Sequence, residues 1–136
     1  MSHITPHEAL IYIMVTAGAA DANMSDNEML SISTIVARYP VFQGFEQERL
    51  DALAAECYNY LEESDGLERI LDLVHDALSE KLYDTAYALA VEIAASNLNI
   101  QQEVLLFLQM MRDRWELDQL TAAALERSAR IRFRTL

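Results

Sequence analysis

The chain has 136 residues, 52% of them hydrophobic, with only three Gly and two Pro, which is enough for one domain with its own core and too apolar for a disordered chain. Its formal charge is −12, from 22 acidic against 10 basic residues; that balance excludes general binding to phosphate backbones, so no nucleic-acid partner is expected, and it favours cations or basic surfaces. A single cysteine, Cys57, permits neither an intramolecular disulfide nor a CxxC site.

Ala, Leu, Glu, Gln, Met and Arg dominate, and no long run of β-branched or aromatic residues alternates at period two, so the fold class reads as all-α with about seven helices. The N-terminal MSHITPHE lacks the basic start and cleavage site of a signal peptide, and the longest apolar stretch, residues 9–20, is too short to span a bilayer. A soluble, cytoplasmic protein is expected. Thr5, Pro6 and Glu8 form a helix start: a threonine cap, proline at the first helical position and a carboxylate in the first turn. The helix then reads ALIYIMVTAGAA, apolar on every side, as a helix at the centre of a core does. His3 and His7 are four apart, but Pro6 places His3 outside the helix and argues against a shared metal.

The connector AGAADANMSDNE, residues 17–28, gathers Asp21, Asn23, Ser25, Asp26 and Glu28. Ser25 and Glu28 have capping-box spacing and launch a second helix through Met29, Leu30, Ile32, Ile35, Val36 and Tyr39, which Pro40 stops. YPVFQGF is a turn whose aromatic residues plug the helix ends. A third helix spans about residues 46–62 with Leu50, Leu53, Ala54, Cys57 and Leu61 inward, and Cys57 is expected to be a buried, inert thiol. Ser64 is the expected cap of a fourth helix, about residues 67–78, with Leu67, Ile70, Leu71, Val74 and Leu78 on one face and His75 beside it, between Asp72 and Asp76. A fifth, apolar helix spans about residues 84–95. Asn99 is placed to cap a sixth, about residues 100–115, with Val104, Phe107, Leu108 and Met111 as its core stripe. Asp118 caps a seventh, running through Leu120, Ala123, Ala124 and Leu125 into RSARIRFRTL.

Sliding the chain by 75 residues aligns Tyr12 with Tyr87, Ala19 and Ala20 with Ala94 and Ala95, Asp21 with Ser96, Glu28 with Glu103, and Leu30 with Leu105. This predicts one domain, residues 1–136, built of two pseudo-symmetric three-helix halves, about 1–63 and 82–136, around two central apolar helices and joined by the fourth helix. The second connector offers Ser96, Asn97, Asn99 and Glu103, with only one charge among them.

The order and spacing of these motifs resemble the tellurite-resistance TerB family, whose pattern is an apolar helix ending in ADG, then a polar residue, an apolar residue, a Ser, and a Glu seven places after the Asp. Here the match is Ala20, Asp21, Ala22 in place of Gly, Asn23, Met24, Ser25 and Glu28. YPVFQG, ERLDAL and YALAVEIAA followed by QQE extend the likeness over nearly the whole chain. The resemblance implies an all-α fold of seven helices, a role in tellurite and other stress responses, divalent-cation binding at the acidic connector, and action in complexes with protein partners, some of them membrane-embedded.

Two readings of the connector stay open. Hard cations such as Ca²⁺ take several oxygen ligands, and Asp21, Asn23, Ser25, Asp26 and Glu28 can offer them, with Ser96, Asn97, Asn99 and Glu103 as a weaker second set. The series is not an EF-hand, because its sixth position is Asp26 rather than Gly and its twelfth is Ile32 rather than Glu. Alternatively, Ser25 and Glu28 serve as a capping box and Asn23 takes the left-handed conformation that leaves the first helix. Asp21 fits the second reading less well, since a carboxylate at a helix C-terminus opposes the macrodipole by roughly 0.3–1 kcal/mol. No nucleophile elbow, HExxH motif or phosphate-cradling glycine loop is present, so a non-catalytic protein is expected. Residues 112–136 hold six of the ten basic residues, and Arg127, Arg130, Arg132 and Arg134 interleave with Ile131 and Phe133. They either pair with the acidic body or form a metal-independent interaction surface for an acidic partner or anionic lipid.

Overall fold

A computed structural model describes residues 3–19, 26–96 and 102–136. Seven α-helices are found there and no strand among the described residues: α1 (Pro6–Ala19), α2 (Asp26–Arg38), α3 (Leu50–Leu61), α4 (Gly66–Ala77), α5 (Tyr83–Ser96), α6 (Gln102–Arg114) and α7 (Gln119–Arg132), with short 3₁₀ turns at Pro40–Phe42, Gln47–Arg49 and Glu80–Leu82. No described helix is long and apolar enough to cross a membrane.

Helix α1 starts as its sequence requires. The Thr5 Oγ1 accepts from the Glu8 N–H at 3.2 Å and the Glu8 carboxylate accepts from the Thr5 N–H at 2.9 Å, a reciprocal capping box with Pro6 at the first helical position. Burial raises the Glu8 pKa, but the Thr5 N–H and the Arg49 guanidinium paired with it outweigh that and leave it below the ordinary carboxylate range. Residues 9–19 are then all buried, so α1 has no solvent face. It packs most extensively on α5, α3 and α4, with α2 and α6 making smaller contacts. The start of α1 is closed by the YPVFQGF turn: Phe42 is buried, the His7 ring lies 5.9 Å from Phe42 and 5.7 Å from Phe45, and its Nε2 hydrogen-bonds the Val41 carbonyl oxygen at 2.9 Å. Gly44, at φ 90°, supplies the left-handed residue that this turn needs.

Helix α5 is the second central element and packs on α1, α7 and α6. The packing order repeats between the halves: α3 lies against α1 as α7 lies against α5. Helix α4 adds a layer against α1 and α3 through buried Ile70, Leu71 and Val74. The entry to α4 departs from expectation. Its cap is Asp65 rather than Ser64, with no side-chain cap bond, and the helix begins at Gly66. The cause is close approach, because a Cβ on Gly66 would stand 2.1 Å from the Tyr60 carbonyl oxygen at the end of α3. The α7 cap is as expected: Asp118 Oδ2 accepts from the Thr121 N–H and Oγ1, both at 2.9 Å.

Several residues placed in helical stripes by their hydrophobicity point to water: Leu30 is 65% exposed and Leu120 is 82% exposed, and Tyr39, Ala123 and Ala124 are exposed as well. On α7 the buried positions are instead Ala122 and Ala129. Small residues at that seam let α7 approach α5 closely, so the buried face is not the most hydrophobic one.

Replacing Thr5 by Ala is expected to lower stability by about 1 kcal/mol in urea unfolding at neutral pH. The Glu8 contribution is present above its unfolded pKa of about 4.3 and disappears as pH falls through its lower folded value, so Glu8→Gln should flatten the acid limb of the stability curve. Gly66→Ala should cost about 1–3 kcal/mol by overpacking against the Tyr60 carbonyl, and wild-type stability in the same unfolding assay would contradict that contact.

Candidate functional site

The connector residues divide. Asp21, Asn23 and Ser25 lie outside the described residues, as do Asn97 and Asn99 of the second connector. Asp26 is the exposed first residue of α2. Glu28, in the same first turn, is buried, with only 6% of its surface exposed. Apart from Thr16 it is the one buried polar or charged residue among those described. Burial, then the neighbouring Cys57, then the Glu28 charge raise the pKa of Tyr58 on α3. A helix N-terminus favours such a charge, yet burying a carboxylate is expensive unless hydrogen bonds or a counter-charge compensate it. Its repeat partner Glu103 is exposed. The Ser96 hydroxyl, at the position matching Asp21, donates to the Ile93 carbonyl of its own helix at 2.7 Å. Among the described residues no three His, Cys, Asp or Glu side chains converge to hold a metal ion.

Helix α1 is tied to α3 by Thr16 Oγ1 and Cys57 Sγ, 3.4 Å apart, while Cys57 Sγ donates to the Tyr12 carbonyl at 3.6 Å. Burial pushes the Cys57 thiol pKa up to about 12, so it is neutral and unreactive at ordinary pH. His75 stacks on Tyr83 at 4.9 Å with its Nδ1 3.8 Å from Asp76 Oδ1, and the exposed pair Arg114 and Asp72, 3.5 Å apart, ties α6 to α4.

A second polar group was not singled out by motif. The Tyr87 hydroxyl donates to Glu126 Oε2 at 2.5 Å, and Arg112 Nη1 donates to both the Tyr87 hydroxyl at 2.7 Å and Glu126 Oε2 at 3.1 Å. This triad joins α5, α6 and α7. Its counterpart in the first half is Tyr12, whose hydroxyl lies 3.5 Å from Glu56 Oε1, a long contact with no arginine because residue 37 is Ala. The alignment of Tyr12 with Tyr87, two polar tips in apolar helices, carried the signal for these groups; the glutamates that meet them could not be placed without the packing of the third helix of each half. Burial, followed by the bond to Glu126, pushes the Tyr87 pKa up to about 12, partly offset by Arg112.

Above the triad, α5, α6 and α7 enclose a half-open groove of about 470 Å³. Its rim carries Leu105 and Leu106, each 53% exposed. On α7, Arg132 Nη1 pairs with Glu92 Oε1 at 2.5 Å, whereas Arg127 and Arg130, and Arg134 past the helix end, are exposed and no described carboxylate pairs with them. Comparison of the chain with known protein families, with curated proteins and with solved structures gives no match.

Tyr87→Phe should cost about 1.5–3 kcal/mol at neutral pH by removing a bond to a charged group. Because the folded pKa lies above the unfolded value of about 10, the tyrosine's contribution is complete below that pH and is lost as pH rises toward about 12. The variant should therefore lose less stability than the wild type over that alkaline range, measured by urea unfolding; identical alkaline limbs would contradict the buried phenol.

Proposed function

We propose that the chain is a non-catalytic helical domain, similar to the TerB family, that holds a divalent cation weakly at the α1–α2 connector and acts through complexes with other proteins. The observation that carries this reading is the burial of Glu28 in the first turn of α2, against the exposure of Glu103 at the matching position of the other half. A carboxylate kept inside in the first turn of α2 is a fixed hard-oxygen donor. Asp26 and Glu28 would supply oxygens from α2, and Asp21, Asn23 and Ser25 from the preceding segment, with water filling the remaining positions. The bound charge would offset the local acidic excess and tie the end of α1 to the start of α2. The sequence resemblance supports Ca²⁺ or a similar divalent ion and a stress-response setting that includes tellurite resistance. A site so dependent on water should be weak, with a dissociation constant of about 10⁻⁴–10⁻³ M.

Titrating Ca²⁺ and Mg²⁺ while following backbone amide shifts tests this. Saturable shifts confined to residues 21–28 and lost in Asp21→Ala are expected. The absence of a saturable shift at millimolar metal would overturn the reading.

A second reading, a metal-independent interaction module using the basic end of α7, is favoured by one specific observation. Arg127 and Arg130 stand one turn apart on an exposed side of α7, with exposed Arg134 just beyond the helix end, and no described carboxylate of this acidic chain pairs with them.

A further inference from the structure

We propose that the groove between α5, α6 and α7 docks an acidic amphipathic helix of a partner protein. The proposal rests on the second reading above and does not involve the cation. The groove floor is apolar, with Val91 and Ala94 from α5, Leu108 from α6 and Ala129 from α7, and Leu105 and Leu106 stand over it with half their surface open. A groove of about 470 Å³ bounded by helices accepts the apolar ridge of a further helix, read as anchors at i, i+3, i+4 and i+7.

Charge selects the occupant. Arg130 lines the groove unpaired, and exposed Arg127 stands one turn before it on the same side of α7. Glu126 also lines the groove, but it is engaged by the Tyr87 hydroxyl and Arg112. The whole chain carries −12. A carboxylate-bearing helix is therefore repelled by most of this molecule and attracted here, whereas a basic helix meets the reverse.

The groove is also not a by-product of the repeated architecture. Displacement by 75 residues matches Leu105 with exposed Leu30, but Leu106 falls on Ser31 and Arg130 on Ala55. The second leucine and the flanking cation belong to the second half alone.

The test uses the full chain in EDTA and a fluorescein-labelled peptide of about 16 residues, with Leu at the four anchor positions and Glu on the flanking positions, read by anisotropy. Two further peptides replace every Glu by Lys, or every Leu by Ser. Saturable binding of the first peptide only is expected. Leu106→Ser and Arg130→Glu, both at exposed positions, should each weaken it about tenfold with helicity unchanged, and Arg130→Glu should improve binding of the Lys peptide. No saturable binding, equal binding of the Lys peptide, or indifference to Leu106→Ser would overturn the proposal. So would Arg130-dependent binding to phosphatidylglycerol vesicles without peptide binding, which assigns the face to a membrane, or self-association abolished by Leu106→Ser, which assigns it to a second copy. Loss of amide shifts with metal, by contrast, leaves this binding intact and counts only against the connector site.

Discussion

The fold depends on enclosing α1. Eleven successive residues, 9–19, are buried, and a helix without a polar face is stable in water only when other helices surround it. That requirement recruits α5, α3 and α4 as its main neighbours and leaves α2 and α6 to close the remaining sides. Within this apolar column the polar atoms have partners: Thr16 meets Cys57, the Tyr12 hydroxyl reaches Glu56, and no buried side-chain nitrogen or oxygen among the described residues lacks a hydrogen bond. Helix α5 is less completely enclosed. Thr85, Ala88, Glu92 and Ala95 remain half-buried along one side, so the second central helix keeps a route to the surface that α1 does not have.

This difference organises the surface chemistry. Each half sets a tyrosine from its central helix against a glutamate from its third helix, but only the second half adds an arginine and converts a long contact into a three-membered network. Conversely, the first half buries its connector glutamate and the second exposes it. The two halves thus use one scaffold for different chemistry: an inward carboxylate beside the α1–α2 connector, and an apolar, cation-flanked groove above α5.

Much of the scaffold was legible in the sequence because it follows local rules. Thr5 and Glu8 cap α1, Pro40 ends the second helical segment, Asp118 caps α7, and Val104, Phe107, Leu108 and Met111 form the buried stripe of α6. What was not legible depends on how helices approach one another. Gly66 opens α4 because the Tyr60 carbonyl stands where a side chain would be, and α7 buries Ala122 and Ala129 while Leu120 faces water. The capping-box spacing of Ser25 and Glu28 carried no sign that Glu28 would be buried. Periodicity ranks residues by hydrophobicity, and here a carboxylate and two alanines hold inward positions that leucines nearby do not.

Native-state hydrogen exchange, with and without Ca²⁺, tests the account most directly, because it reads the enclosure of α1 and the state of the connector together. The account predicts that amides of α1 and α5 exchange only through global unfolding, that the first turn of α2 opens more readily, and that Ca²⁺ slows exchange at that turn and nowhere on α7. Exchange of α1 as fast as that of α7, or a first turn of α2 indifferent to millimolar Ca²⁺, would contradict it.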